Sequence, residues 1–110
     1  MAAPILDTSK DAWRECDPRI VLAQVGRMNV LAISGGRAMP HKDGGVTLPV
    51  GSGYKVTIDL AADDTYTVRR IHVRAGVTRL HGEMTGVYAE DLGEVAYRAS
   101  CFRSYPFPAA

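Results

Sequence analysis

The stretch from Tyr54 to Arg79 constrains the fold more than any other part of the chain. Polar and apolar residues alternate over its first seven positions (YKVTIDL), which predicts a strand buried on one face. Turn signals follow at 61–64 (AADD) and 74–76 (RAG), and they separate the β-rich segments 65–74 and 77–83. Three such strands joined by tight turns predict an antiparallel meander.

The middle strand of this meander changes phase. Tyr66 and Val68 continue the alternation, whereas Ile71 and Val73 fall in the opposite phase. A bulge at 69–70 would restore the buried face and re-aim the arginines there; the alternative is that apolar residues lie on both faces. We favour the bulge, because bulges are frequent beside binding sites.

The chain before the meander predicts a helix and a strand. Asp17 is a typical N-cap, it is followed by a proline, and Gly26 suits the position after a helix end, so a helix is expected at 18–25. Residues 28–34 (MNVLAIS) are apolar at nearly every position, which predicts a strand covered on both faces. Continuation of the first helix into this run is the alternative.

Two features lie between this run and the meander. The glycine pair at 35–37 (GGR) could cradle a phosphate, because small residues let backbone N–H groups approach an anion. We favour a turn that needs positive φ, since glycine pairs commonly mark turns. Residues 46–50 predict a short extended segment, and their proline suits a sheet edge.

A second helix is expected at 88–102. Apolar residues recur there at three- and four-residue intervals from Tyr88 onward, so they line one side. Gly93 inside this helix indicates a close approach of the helix to the sheet.

Together these elements predict an α+β fold. A small antiparallel sheet of about four strands would carry an N-terminal and a C-terminal helix on one face. The predicted domain covers residues 17–103, with a mobile N-terminal arm at 1–16, whose Trp13 could dock on the body of the domain, and an extended tail at 104–110.

Composition limits the class of protein. The chain of 110 residues suffices for a single core, and its net charge of +1 argues against a nonspecific DNA-coating protein. Cys16 and Cys101 fit free thiols in a reducing compartment, although one long-range disulfide is also compatible with the sequence. Because neither a signal peptide nor an apolar run of about 20 residues is evident, a soluble cytoplasmic protein with no membrane partner is expected.

Catalytic and metal motifs are missing from the sequence. It has no GxSxG elbow, no P-loop and no dinucleotide fingerprint. His41, His72 and His81 are scattered without metal-ligand spacing, although His72 and His81 could face each other across the 74–76 turn. We therefore expect no enzyme, no cofactor and no metal.

Charge is distributed unevenly. Residues 65–82 carry four arginines and no acid, while residues 83–94 carry four acids and no base. Guanidinium groups bind phosphate in a fork, and aromatic rings stack on a base. The sequence therefore predicts a site for an anionic, nucleotide-like ligand. Its phosphate contacts would be Arg69, Arg70, Arg74 and Arg79, and its ring contacts Tyr66 and His72.

The alternative for this group is a solvated sheet face without a ligand. Its arginines would then form salt bridges with the acids Glu83, Glu90, Asp91 and Glu94.

Parts of the chain resemble a group of short proteins from phages and prophages. The resemblance covers about residues 20–102 and is carried by DTYTV at 64–68 and VYAEDL at 87–92, with NVLAISGGR at 29–37. It implies a phage-type accessory protein that acts in the host cytoplasm. The inferred architecture is also similar to that of anti-Thoeris proteins, which sequester nucleotide signals of host immunity.

These observations lead to three hypotheses. The first is a non-enzymatic binding protein, expected to be a homo-oligomer, for the anionic ligand described above. The second is an interaction module that blocks a host protein through Tyr105, Phe107 and the acidic end of the second helix. The third is a weak binder of single-stranded nucleic acid, whose affinity would fall steeply with salt.

Overall fold

The computed structural model of the chain describes residues 4–8 and 11–101. Within these residues the chain forms three α-helices, five strands and one short 3-10 helix, Ala89–Asp91, before the last α-helix. The helices and strands are α1 (Pro18–Val25), α2 (Arg27–Ser34), β1 (Met39–Pro40), β2 (Val46–Gly51), β3 (Tyr54–Leu60), β4 (Tyr66–Arg74), β5 (Val77–Val87) and α3 (Leu92–Ser100). The predicted tail at 104–110, with Tyr105 and Phe107, lies outside the described residues.

The strands form one antiparallel sheet in chain order, from β1 at one edge to β5 at the other. This confirms the α+β class and the meander, but the described residues contain five strands where about four were expected. The additional strand, β1, is a two-residue pairing with the start of β2, in a stretch that reads as loop. No helix among the described residues is long and apolar enough to cross a membrane.

The first helix is confirmed at its predicted bounds. The Asp17 carboxylate accepts the backbone N–H of Arg19 at 2.9 Å, and the N–H of Gly26 returns to the carbonyl of Leu22. This is the expected cap at each end.

The strand expected at 28–34 is wrong, because these residues belong to α2. Gly26, with φ near +95°, ends α1 and lets a new helix begin at the next residue. Val30 and Ile33 are buried while Met28 and Leu31 are exposed, so the apolar run has one buried side at helical spacing. Because Met28 and Leu31 are apolar although exposed, the run has no polar side, and this is why its sequence resembles a strand covered on both faces.

The last helix is shorter than predicted and packs differently. It covers Leu92–Ser100, and Tyr88 lies before it with an exposed ring instead of on the apolar side. A Cβ at Gly93 would stand 2.4 Å from the carbonyl oxygen of Val25 and 2.7 Å from the side-chain nitrogen of Asn29. Gly93 therefore permits close approach to the α1–α2 junction, not to the sheet.

The sheet separates two different environments. We call the side packed on α1, α2 and α3 the helix face and the opposite side the segment face. Fully buried residues of the strands make the core on the helix face, namely Val46, Leu48, Val56, Ile58 and Val68. Directly paired residues lie on the same face of a sheet, so the cross-strand register assigns every other side chain.

The predicted bulge lies on the neighbouring strand. β4 pairs with β3 in unbroken register over seven residue pairs. The register shifts between β4 and β5, where His81 is an extra residue between the partners of Arg70 and Ile71. The bulge expected at 69–70 is therefore wrong for β4, and Ile71 lies on the opposite face from Val68. Apolar residues on both faces are the correct explanation.

The segment face is crossed by residues 4–8 and 11–16, which we call the N-terminal segment. Two backbone hydrogen bonds join it to β5, from Leu6 N–H to Thr78 O (2.9 Å) and from Leu80 N–H to Pro4 O (2.9 Å). Arg14 N–H donates to Leu60 O at the end of β3 (2.8 Å), and Cys16 N–H donates to Asp43 O in the loop before β2 (2.9 Å). The sequence predicts a mobile arm here. Its described residues make these contacts with the body of the domain, and mobility in solution stays a prediction.

Candidate anion-binding site

Arg69 lies on the segment face and is fully engaged in ion pairs. Its guanidinium donates to both carboxylate oxygens of Asp11 at 2.8 and 3.2 Å and to Glu83 at 2.6 Å. It also lies 5.0 Å from the ring centre of Trp13. Only 12% of the side chain is exposed. Arg69 thus follows the salt-bridged alternative and holds the N-terminal segment.

Arg70 points to the helix face, as expected of adjacent residues in a strand. It is 3% exposed, and its guanidinium donates to the carbonyl of Cys101 at 3.3 Å, just after α3. Arg69 and Arg70 therefore lie on opposite sides of the sheet and do not form one phosphate clamp.

Tyr66 lies in the core between β4 and α1. It is 6% exposed, and its hydroxyl donates to the side-chain oxygen of Gln24 at 2.5 Å. Burial raises the pKa of this phenol. The structure does not bring this ring to His72 or to the exposed arginines.

The other three predicted residues do lie together. His72, Arg74 and Arg79 line a cavity of about 340 Å³ at the β4–β5 hairpin, with Ala75 and Val77 completing it. We call this cavity the hairpin site. His72 and Arg79 are direct cross-strand partners, which places both side chains on one face.

Two rings stand behind His72. Tyr54 is its cross-strand partner on β3, and the ring centres are 4.4 Å apart. His81, the bulged residue of β5, lies 6.0 Å from His72 and 5.4 Å from Tyr54. We call Tyr54, His72 and His81 the ring cluster. The sequence interpretation placed His81 opposite His72 but missed Tyr54, which the β3–β4 register alone could have revealed.

The hairpin site is electropositive. Burial lowers the pKa of His81, and the charges of His72, Arg70 and Arg79 lower it further. Every charge that perturbs this imidazole is therefore positive. No carboxylate lies among the described residues that line the cavity, and Arg74 is exposed at its rim.

His72 is oriented by the neighbouring turn. Its Nε2 lies 3.1 Å from the carbonyl oxygen of Ser52 and donates to it, since a carbonyl can only accept. Gly53 beside it is required, because a Cβ there would stand 2.7 Å from the Val73 carbonyl and 3.0 Å from Nε2. The ring is thus fixed while Nδ1 keeps its own hydrogen-bonding capacity.

The glycine pair at 35–37 forms a turn and not a phosphate cradle. Gly35 and Gly36 have φ values of +66° and +88°, and their N–H groups return to the carbonyls of Leu31 and Val30. Donors used to close the end of α2 are not available to an anion, which confirms the turn interpretation.

Among the described residues, no group of three or more histidine, cysteine, aspartate or glutamate side chains could hold a metal ion. Cys16 and Cys101 are not joined by a disulfide. Burial and the charges of Asp59, Asp17 and Asp43 raise the pKa of Cys16, so its thiol form is favoured at neutral pH.

An apolar cavity of about 570 Å³ lies on the outer side of α1 and α2. Met28 and Leu31 line it with largely exposed side chains, and Arg19 and Arg27 border it. Its apolar lining makes it a poor anion site.

Comparison of the chain with models of protein families, with curated proteins and with solved structures finds no match.

Proposed function

We propose that the chain is a binding protein for a small anionic, nucleotide-like ligand, which it recognises at the hairpin site. The observation that carries the proposal is the grouping of Arg74, Arg79 and His72 around a cavity free of carboxylates, with the ring cluster directly behind it. Fewer residues contact the ligand than the sequence predicts, because Arg69, Arg70 and Tyr66 are hydrogen-bonded to other parts of the chain.

The chemistry of the site suits a phosphate next to an aromatic base. Arg74 and Arg79 offer planar forks of N–H donors, which match phosphate oxygens bidentately. A base can stack on the imidazole of His72, which is itself supported by Tyr54. A cavity of about 340 Å³ lies at the lower end of the usual range for small-molecule sites, so a mononucleotide fits better than a long polyanion.

The biological role that follows is sequestration. A binding protein without a catalytic step that withdraws a nucleotide signal of host immunity would suit the phage-type accessory class that the sequence resembles. Action in the host cytoplasm, as a homo-oligomer and without a cofactor, belongs to the same proposal.

Calorimetric titration with adenosine 5′-monophosphate, with adenosine and with sulfate tests the proposal. We expect the nucleotide to bind more tightly than either fragment, because only the nucleotide engages both the arginines and the rings. Arg74→Ala and Arg79→Ala should each weaken its binding about tenfold or more, the effect of losing one charge-assisted hydrogen-bond pair.

Arg27→Ala is the matched control. Arg27 is exposed on α2, and its replacement removes the same charge far from the hairpin. Equal affinities for the Arg27, Arg74 and Arg79 variants would show that any binding is nonspecific and would end the proposal. Steep salt dependence with an oligonucleotide, alongside weak binding of the mononucleotide, would favour the single-stranded nucleic acid hypothesis.

A further inference from the structure

A second, chemically different cavity lies on the segment face. It has a volume of about 390 Å³ between the N-terminal segment and the sheet. His41, Thr47 and Asp59 line it together, although they are separated by up to 18 residues in sequence. Trp13 and Thr78 also line it.

The three side chains form a hydrogen-bonded relay. Nδ1 of His41 lies 2.8 Å from a carboxylate oxygen of Asp59, and Nε2 of the same ring is hydrogen-bonded to the Thr47 hydroxyl. An ionised carboxylate can only accept, so the proton of the neutral imidazole sits on Nδ1. Nε2 is then left as the acceptor for the Thr47 O–H.

Burial makes this relay rigid. Asp59 is 6% exposed and Thr47 is 8% exposed, whereas about a quarter of the His41 side chain is accessible from the cavity. A buried carboxylate that fixes the tautomer and orientation of an imidazole next to a hydroxyl is the arrangement that activates serine nucleophiles.

The fold dictates the arrangement through register and through one glycine. Thr47 pairs with Thr57 on β3, and Asp59 is two residues further along the same face. A Cβ on Gly45 would stand 2.3 Å from the Asp59 oxygen and 3.1 Å from Nδ1 of His41. Only glycine at position 45 therefore lets the turn from β1 to β2 deliver His41 to the carboxylate.

We propose that Thr47 is an activated nucleophile, with His41 as its general base, and that this cavity accepts small acyl electrophiles. Asp59 acts as a positioning residue. The hydroxyl of Thr57, directly opposite Thr47, lies on the same face of the sheet and borders the place where a carbonyl oxygen would develop charge.

The reaction balances with water as the final acceptor. Oγ of Thr47 bonds to the acyl carbon while its proton passes to Nε2 of His41, and the leaving alkoxide then takes that proton as its bond to the acyl carbon breaks. A water molecule next gives a proton to Nε2 and attacks the acyl-threonine. The carboxylic acid departs, and the proton returns from His41 to Thr47.

The nucleophile proposed here does not depend on the anion-binding function, because its cavity and the hairpin site lie on opposite sides of the sheet. Either proposal can therefore be wrong while the other holds. Catalytic motifs, whose absence underlies the expectation of a non-enzyme, describe residues close in sequence, whereas these three residues are brought together by strand pairing and by the loop before β2.

The test is active-site labelling of the full chain with p-nitrophenyl acetate and with a fluorophosphonate. We expect a burst of p-nitrophenolate, and peptide mass mapping should place the acetyl group on Thr47 as a hydroxylamine-sensitive ester. His41→Asn should slow labelling of Thr47 about 100-fold, the usual size of a general-base contribution.

Thr85→Val is the matched control, because Thr85 is an exposed threonine of β5 that does not line this cavity. It should label at the rate of the unaltered chain. Asp59→Asn should slow labelling and also change the ¹⁵N shifts of His41 that report its tautomer, which a loss of stability alone would not do.

The unaltered chain decides the outcome even if a variant fails to fold. If the acetyl group is found only on lysines, or if Thr47 labels no faster in the native chain than in urea, the relay is a structural network and the proposal is wrong.

Discussion

Neighbouring residues of β4 illustrate how a charge cluster in sequence can divide in space. Arg69 and Arg70 are adjacent, yet one binds the N-terminal segment and the other binds the end of α3. The sequence could predict that they point to opposite faces, since strand side chains alternate. It could not predict the partners, because Asp11 lies 58 residues from Arg69 and Cys101 lies 31 residues from Arg70.

The ion pairs of Arg69 predict a structural role for this residue. Arg69→Ala would leave Asp11 and Glu83 without their shared cation in a largely buried position. We expect it to lower the free energy of unfolding by about 3 kcal/mol, as when one partner of a buried pair is removed. Urea denaturation followed by circular dichroism measures this change.

Arg74→Ala is the comparison for that experiment. Arg74 is exposed and forms no salt bridge among the described residues, so its replacement should change stability by less than about 0.5 kcal/mol. If Arg74→Ala proves as destabilising as Arg69→Ala, ion pairing does not determine how much each arginine contributes to the free energy of unfolding.

At the scale of elements, segments with a clear period were predictable and the continuous apolar run was not. The alternation from Tyr54 to Leu60 gave β3 at its bounds, and Asp17 with Gly26 gave α1. Residues 28–34 failed because Met28 and Leu31 are apolar but exposed, which removes the polar face by which a helix is recognised.

The N-terminal segment has no periodic sequence pattern, yet its contact with β5 leads to a testable prediction. The N–H of Leu80 on β5 donates to the carbonyl of Pro4, whereas the interior strands are paired on both sides. Deleting residues 1–8 should therefore speed amide hydrogen exchange at Leu80 and leave the amides of β3 protected.

Residue-specific hydrogen exchange, measured by NMR, distinguishes a mobile N-terminal segment from a docked one. Fast exchange of Leu6 and Leu80 in the intact chain would support a mobile arm in solution. Slow exchange at both positions, lost on deletion, would support the docked arrangement.

The whole molecule separates its chemistry across one sheet. Cations and rings gather at the hairpin on the helix face, whereas the Asp59–His41–Thr47 relay lies beneath the N-terminal segment on the other. The α+β architecture and the grouping of His72, Arg74 and Arg79 at one hairpin were predictable from local patterns. The relay was not, because its members come from a loop and two strands whose pairing register has no sequence signature.

The positive surroundings of His81 predict how global stability depends on pH. Burial, followed by the charges of His72, Arg70 and Arg79, lowers the pKa of His81 in the folded chain. The unfolded chain therefore binds this proton more readily, and the free energy of unfolding should fall as pH drops below about 6.5, the ordinary pKa of histidine.

His81→Gln should flatten this dependence between about pH 5 and 7. The lowered pKa values of Asp17 and Asp63 affect stability only at more acidic pH, so they do not obscure the effect. An unchanged slope in the His81→Gln variant would show that another group controls stability in this range. Urea denaturation at a series of pH values provides the measurement.

The ion pair between Asp11 and Arg69 also affects the order of events during synthesis. Asp11 is translated 58 residues before Arg69, and at about 5–20 residues per second the gap lasts roughly 3 to 12 s. Throughout that interval Asp11 has no ion-pair partner on β4, and Thr78 and Leu80, the partners of Leu6 and Pro4 on β5, are made later still. On the ribosome the domain must therefore close from the sheet outward, with its first residues among the last to reach their place.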